Sequence, residues 1–148
     1  KILVGLDSSE ASINALKFAG KIAKQTGAGL VGVHVINEPS YREYYGNLKN
    51  KLEAEARDIL NNAKALMEKE GISMEIQVDS GFPDIVIAEI AKNDKDISMI
   101  VLGASGRGRG TRVFVGSKTQ AVINQVGAGL PCAVVIVPGK SQEFLERL

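Results

Sequence analysis

The chain has no tryptophan, one cysteine, one histidine, four prolines and almost no excess of either charge. Each shortage removes a class of function. A lone thiol, Cys132, closes no internal disulfide, and one histidine with one cysteine supplies no zinc set. Cys132 opens the apolar run CAVVIV, where a thiol reads as a buried, inert small hydrophobe rather than a nucleophile. A formal net charge of +1 over 148 residues lacks the basic excess of a dedicated nucleic-acid or membrane-surface protein. No apolar run nears the ~18 residues that span a bilayer, and no signal-peptide pattern opens the chain. Lys1 already leads into a strand, so an initiator residue or a few others are expected before it, and the protein is expected in the cytoplasm.

What is present suits a single globular domain over residues 1–148. The composition is 45% hydrophobic and 24% charged. A chain of this length buries roughly 70% of its unfolded surface.

The densest signal is Val101 to Val126, VLGASGRGRGTRVFVGSKTQAVINQV. A short apolar run enters a loop holding Gly103, Gly106, Gly108 and Gly110, which closes on Gly116-Ser117 before a helix-like segment. Nine residues, Arg107 to Val115, separate Gly106 from Gly116, so the spacing is Gly-x2-Gly-x9-Gly-Ser. Glycine lets a ligand approach the main chain. A helix after such a loop presents unpaired N–H groups and the positive end of its dipole, and these bind phosphate.

The rest of the chain reads as a scaffold for that loop. Ile2 to Leu6 and Leu30 to Ile36 are apolar runs of the kind buried on both faces of a sheet, and Met99 to Leu102 and Ala133 to Val137 are shorter apolar strands, the last expected at a sheet edge. Met74, Ile76 and Val78 alternate with polar residues and read as a strand near a sheet edge. Helical patterns lie between the strands. One starts after Asp7-Ser8-Ser9-Glu10, where several N-caps are available and Asp7 and Glu10 have capping-box spacing, and it ends at Gly27. Others run from Leu48 to Glu70, from Pro83 to Asn93 with Ile85, Ala88, Ile90 and Ala91 turned inward, and from Ser117 to about Val126. Asn37 to Asn47, with Tyr41, Tyr44 and Tyr45, reads as a loop or short helix open to use as a lid. The tail from Lys140 to Leu148 reads as a last helical turn or a frayed end. Five strands alternating with four helical patterns predict an α/β fold, an open doubly wound parallel sheet with helices on both faces. Ligands of such sheets sit beyond the carboxyl ends of the strands, where strand order reverses. In the order 3-2-1-4-5 the two strand ends there carry Asp7 and Gly103.

Two nucleotide signatures are absent. Gly116-Ser117-Lys118-Thr119 resembles only the tail of a Walker A loop, and Asp7-Ser8-Ser9 stands where a dinucleotide fingerprint would place glycines. The glycine spacing, the opening VGLDSSEAS and the VHVIN that ends the second strand together resemble the universal stress protein family, and Gly-x2-Gly-x9-Gly-Ser resembles its ATP-binding branch. The resemblance covers nearly the whole chain. It implies the five-stranded 3-2-1-4-5 sheet, and a homodimer, here through the apolar edge strand 133–137. It puts adenine near Leu6 and Val35, ribose on Asp7 and Gly103, and phosphates on the main chain of Gly106 and on Gly116, Ser117, Lys118 and Thr119, with Leu102 and Ser105 lining the pocket. A carboxylate accepts two ribose hydroxyl protons, and Ser117 with nearby N–H groups donates to phosphate oxygens.

The expected function is ATP binding, with Mg²⁺ held by phosphate oxygens and water, and occupancy used as a switch seen by a protein partner. No residue is assigned a catalytic or metal-ligating role, so enzymatic activity is at most weak ATP hydrolysis. Plain alternatives stay open beside each assignment. Asp7 also suits an N-cap, the glycines suit a surface turn, and His34 suits a sheet face better than a catalytic base. Arg107, Arg109 and Arg112 suit a phosphate clamp, free solvent or, as a lesser alternative, an RNA contact. An ATP-hydrolysing enzyme is the rival function.

Overall fold

The structure, a computed structural model, describes residues 1–37, 47–104, 117–139 and 142–148. Five parallel strands form one sheet in the order β3-β2-β1-β4-β5, as expected. They are β1 (Ile2–Gly5), β2 (Leu30–Asn37), β3 (Met74–Gly81), β4 (Met99–Gly103) and β5 (Ala133–Val137). The helices are α1 (Glu10–Thr26), α2 (Asn47–Lys69), α3 (Pro83–Asn93), α4 (Ser117–Gly127) and a short α5 (Gln142–Glu146). The central strand β1 pairs on one side with β2, Ile2 opposite Leu30, and on the other with β4, Ile2 opposite Met99.

Alternation along the strands divides the core into two layers. Ile2, Val4, Leu30 and Val101 face Ala15, Leu16 and Ala19 of α1 and Leu60, Ala63 and Met67 of α2. Leu3, Val31, Val33, Ile100 and Leu102 face Ile87 and Ala91 of α3 and Val122 of α4. A strand buried on both faces needs apolar side chains at every position, which is why β1 and β4 carry unbroken apolar runs. Edge strand β3 alternates in sequence but not in burial: Met74 is buried, while Ile76 and Val78 are exposed at 36% and 37%.

Two local expectations are corrected. On α3 Ala88, Ile90 and Ala91 turn to the core as expected, joined by Ile87, whereas Ile85 is 48% exposed. Two residues along a helix turn the side chain by about 200°, so Ile85 and Ile87 cannot share a face. At the start of α1 the N-cap is Ser9, whose Oγ accepts the Ser12 N–H at 3.2 Å, so Asp7 and Glu10 do not form a capping box. Asp7 lies two residues before the cap, and its Oδ1 instead accepts the Ser9 N–H at 2.7 Å. The C-terminal end follows expectation: Gly27 takes the left-handed conformation at φ 75° and its N–H bonds Ala23 O. The Asn37–Asn47 loop, with its three tyrosines, lies outside the described residues apart from its two ends.

The end of β4 is pressed against the start of α1. A Cβ on Gly103 would stand 2.6 Å from Ala11 Cβ and 2.7 Å from the Ala11 carbonyl carbon. Nearby, buried Asn14 donates from Nδ2 to Pro138 O at 3.2 Å and Gly139 O at 3.0 Å, fastening the exit of β5 to the same helix. Gly103→Ala is therefore expected to destabilise the fold by about 1–3 kcal/mol through overpacking against backbone that cannot move aside. Urea denaturation checks this, and a loss within about 0.5 kcal/mol would show that α1 yields freely.

Candidate functional site at the carboxyl end of the sheet

The chain lays β2 and β3 to one side of β1, then returns to place β4 and β5 on the other. Helices α1 and α4, which follow β1 and β4, accordingly pack on opposite faces. Neither covers the gap between the two strand ends, and a cavity of about 540 Å³ opens there. Leu6, Asp7, Val35, Leu102, Gly103, Lys118 and Thr119 all line it. Of the sequence-selected residues, Ser105, Gly106 and Gly116 lie outside the described residues, as do Arg107, Arg109 and Arg112, and Ser117 is described only as the first residue of α4.

The walls differ in chemistry. Val35 and Leu102 belong to the α3/α4 layer of the core and Leu6 to the α1/α2 layer; all three are under 10% exposed, at 9%, 6% and 4%. Where they reach the strand ends they supply an apolar slot. Asp7 is exposed beside it. With Oδ1 engaged by Ser9 N–H, its Oδ2 has no hydrogen-bond partner among the described residues. Across the cavity, exposed Lys118 stands in the first turn of α4, where free N–H groups carry partial positive charge. Thr119 is tied down, its hydroxyl donating to Gly103 O at 3.2 Å, so the start of α4 is fastened to the end of β4. An apolar slot, one carboxylate with a free oxygen, and a cationic helix start suit a ligand with a flat apolar part, hydroxyls and an anionic tail.

Several lining residues were not singled out from the sequence. Ser8, Ser9 and Ser12 come from the start of α1, Pro83 and Asp84 from the start of α3, and Leu52, Glu55 and Ile59 from α2. Pro83-Asp84 marks a helix start, a signal that combined with strand order would place it here. The α2 residues carry no such signal: Leu52 and Ile59 belong to the apolar repeat of a packed helix, and Glu55 to its charged, solvated face. His34 also lines the cavity, half-buried, with Nδ1 2.7 Å from Leu6 O, in keeping with a sheet-face histidine. Asn37, at the end of β2, holds a buried Oδ1 with no hydrogen-bond partner among the described residues. Cys132 is far from this chemistry: it is buried, its thiol donates to Ile97 O at 3.2 Å, and desolvation pushes its pKa up.

Known proteins agree with this architecture. A sequence model of the universal stress protein family matches residues 1–138. Universal stress protein Sll1388 of Synechocystis is 31% identical over 153 residues, covering 93% of this chain and 96% of that protein. The solved structure of MJ0577 of Methanocaldococcus jannaschii superposes with a TM-score of 0.78 at 30% identity, covering 95% of this chain and 96% of that one. The universal stress protein from Archaeoglobus fulgidus solved in complex with dAMP matches with a TM-score of 0.68 at 24% identity, covering 92% and 95% of the two chains, a likeness of fold. The chain belongs to the universal stress protein family. Among its described residues no helix is long and apolar enough to cross a membrane.

The first turn of α1 forms one wall of the cavity, so its cap holds both the fold and the site. Ser9→Ala should cost about 1 kcal/mol of stability, and Ser9→Asp, which keeps an acceptor for Ser12 N–H, should lose little. Thermal or denaturant unfolding of the two variants checks this; equal losses would mean that the cap bond contributes nothing.

Proposed function

We propose that this protein binds ATP, accompanied by Mg²⁺, in the cavity at the carboxyl ends of β1 and β4. In this reading it acts in the cytoplasm as a nucleotide-dependent switch with slow or no hydrolysis. One observation carries the reading: the seven sequence-selected residues Leu6, Asp7, Val35, Leu102, Gly103, Lys118 and Thr119, drawn from β2, β4, α4 and the turn after β1, converge on one cavity. Adenine would lie against Leu6, Val35 and Leu102, and the ribose hydroxyls would donate to the free oxygen of Asp7 with Gly103 beside them. The phosphates would run to the start of α4, where Lys118, Thr119 and Ser117 join the main chain of Gly106 and Gly116, with Ser105 at the pocket edge. The metal would be held by phosphate oxygens and water. Binding would alter a surface beside the cavity that a protein partner reads.

Two measurements test the site. Protein as purified should carry adenine nucleotide, and calorimetric titration of the stripped protein with Mg·ATP should show binding. Asp7→Ala should weaken it at least about tenfold, the effect of losing hydrogen bonds to a charged acceptor, and Gly116→Val should abolish it. No copurified nucleotide and no heat of binding would overturn the reading. Steady-state turnover well above a Ser117→Ala control would favour the hydrolysing enzyme instead. Salt-sensitive RNA binding that survives loss of Gly116-Ser117 would favour the arginine loop as an RNA contact.

We also propose a homodimer through β5. This strand forms one edge of the sheet, with Val134, Val135 and Ile136 only partly buried, and an unpaired strand edge invites a second strand. Sedimentation equilibrium at micromolar concentration should give about twice the 15.7 kDa chain mass. Proline at Val135 should shift the species toward monomer, and a monomeric wild type would refute the dimer.

A further inference from the structure

The peptide unit that joins Leu6 to Asp7 is held at both ends by side chains. Main-chain pairing between β1 and β2 reaches its last rung here, where Leu6 N–H donates to Val33 O at 2.8 Å. Beyond it a side chain takes over, with His34 Nδ1 2.7 Å from Leu6 O. A carbonyl oxygen only accepts, so Nδ1 carries the proton and the neutral ring is the Nδ1–H tautomer. The other end of the same peptide unit, Asp7 N–H, donates to Ser12 Oγ at 3.2 Å, and the Ser12 hydroxyl lies 2.9 Å from Asp7 O. Ser12 is itself buried and is fixed by the N-cap, its own N–H donating to Ser9 Oγ. Asp7 is therefore exposed as a side chain but fastened as a backbone, at the point where the chain leaves the sheet.

We infer that His34 is a positioning residue for the Asp7 carboxylate. It orients the Leu6–Asp7 peptide so that the free carboxylate oxygen stands at a set place in the cavity, and the function it controls is discrimination of ribose hydroxyls. This inference rests on the nucleotide-binding reading and deepens it. His34 touches no part of the ligand in this role. Misaiming a carboxylate costs the hydrogen bonds that depend on its direction, while contacts of the base and the phosphates, made by other elements, survive.

The chain has one histidine, so its ring signals belong to His34 alone. Long-range ¹H–¹⁵N NMR above the imidazole pKa should show a protonated Nδ1 and a bare Nε2. An Nε2–H tautomer, the form favoured by a free histidine side chain, would overturn the clamp without reference to any ligand. The functional arm compares ATP with 2′-deoxy-ATP and 3′-deoxy-ATP by calorimetry. Wild type should prefer ATP by about tenfold, the worth of one hydrogen bond to a charged acceptor. His34→Asn places an amide N–H near the position of Nδ1–H and should keep that preference. His34→Gln places its amide near the position of Nε2 and should lower the preference to less than about twofold, with affinity for the deoxynucleotides within about threefold of wild type. Preference retained in His34→Gln, or lost equally in His34→Asn, would overturn the inference and leave nucleotide binding standing. No binding of any nucleotide by wild type would bring down both.

Discussion

The reversal of strand order at β1 is the constraint on which the rest of the molecule depends. A parallel sheet must be covered on both faces, so each crossover helix is committed to one side. Because β2 and β3 lie on one flank of β1 and β4 and β5 on the other, helices α1 and α4 separate to opposite faces. The opening left between them is lined by strand ends. Strand ends are where side chains emerge from a rigid frame and backbone groups lose their ladder partners. Polar groups such as Asp7, Ser12, His34 and Thr119 gather there because the backbone leaving the sheet needs partners, and the same groups shape the cavity.

Rigidity at this end is built from short contacts rather than from a large local core. Gly103 allows β4 to meet Ala11 without a clash. Thr119 fastens α4 to Gly103 O, and Asn14 fastens the exit of β5 to α1. Two of these contacts, Gly103 against Ala11 and Asn14 to Pro138, join α1 to strand ends far along the chain.

Most of the fold was legible before any coordinates. Continuous apolar runs identified the buried strands, the alternation at Met74, Ile76 and Val78 identified an edge, and Gly27 and Pro83 marked helix ends. The misreadings were matters of phase and of competition between neighbours. Ile85 and Ile87 are chemically alike, and only the angle at which α3 meets the sheet chooses between them. Asp7, Ser8 and Ser9 all cap helices well, and the cap fell to Ser9, while the Asp7 carboxylate accepts the Ser9 N–H one step earlier.

The candidate site divides in the same way. Asp7, Gly103, Lys118 and Thr119 could be selected in one dimension because helix starts and glycine spacings carry local signals. The chain by itself thus determined that there would be a parallel sheet, where it would open, and some of the residues that line the opening. Only the tertiary structure decided that α2 contributes Leu52, Glu55 and Ile59 to that cavity and that His34 and Ser12 hold the two ends of the Leu6–Asp7 peptide. Local sequence encodes the conformation of each segment, whereas a hydrogen bond between residues 28 positions apart exists only once two strands lie side by side in one register.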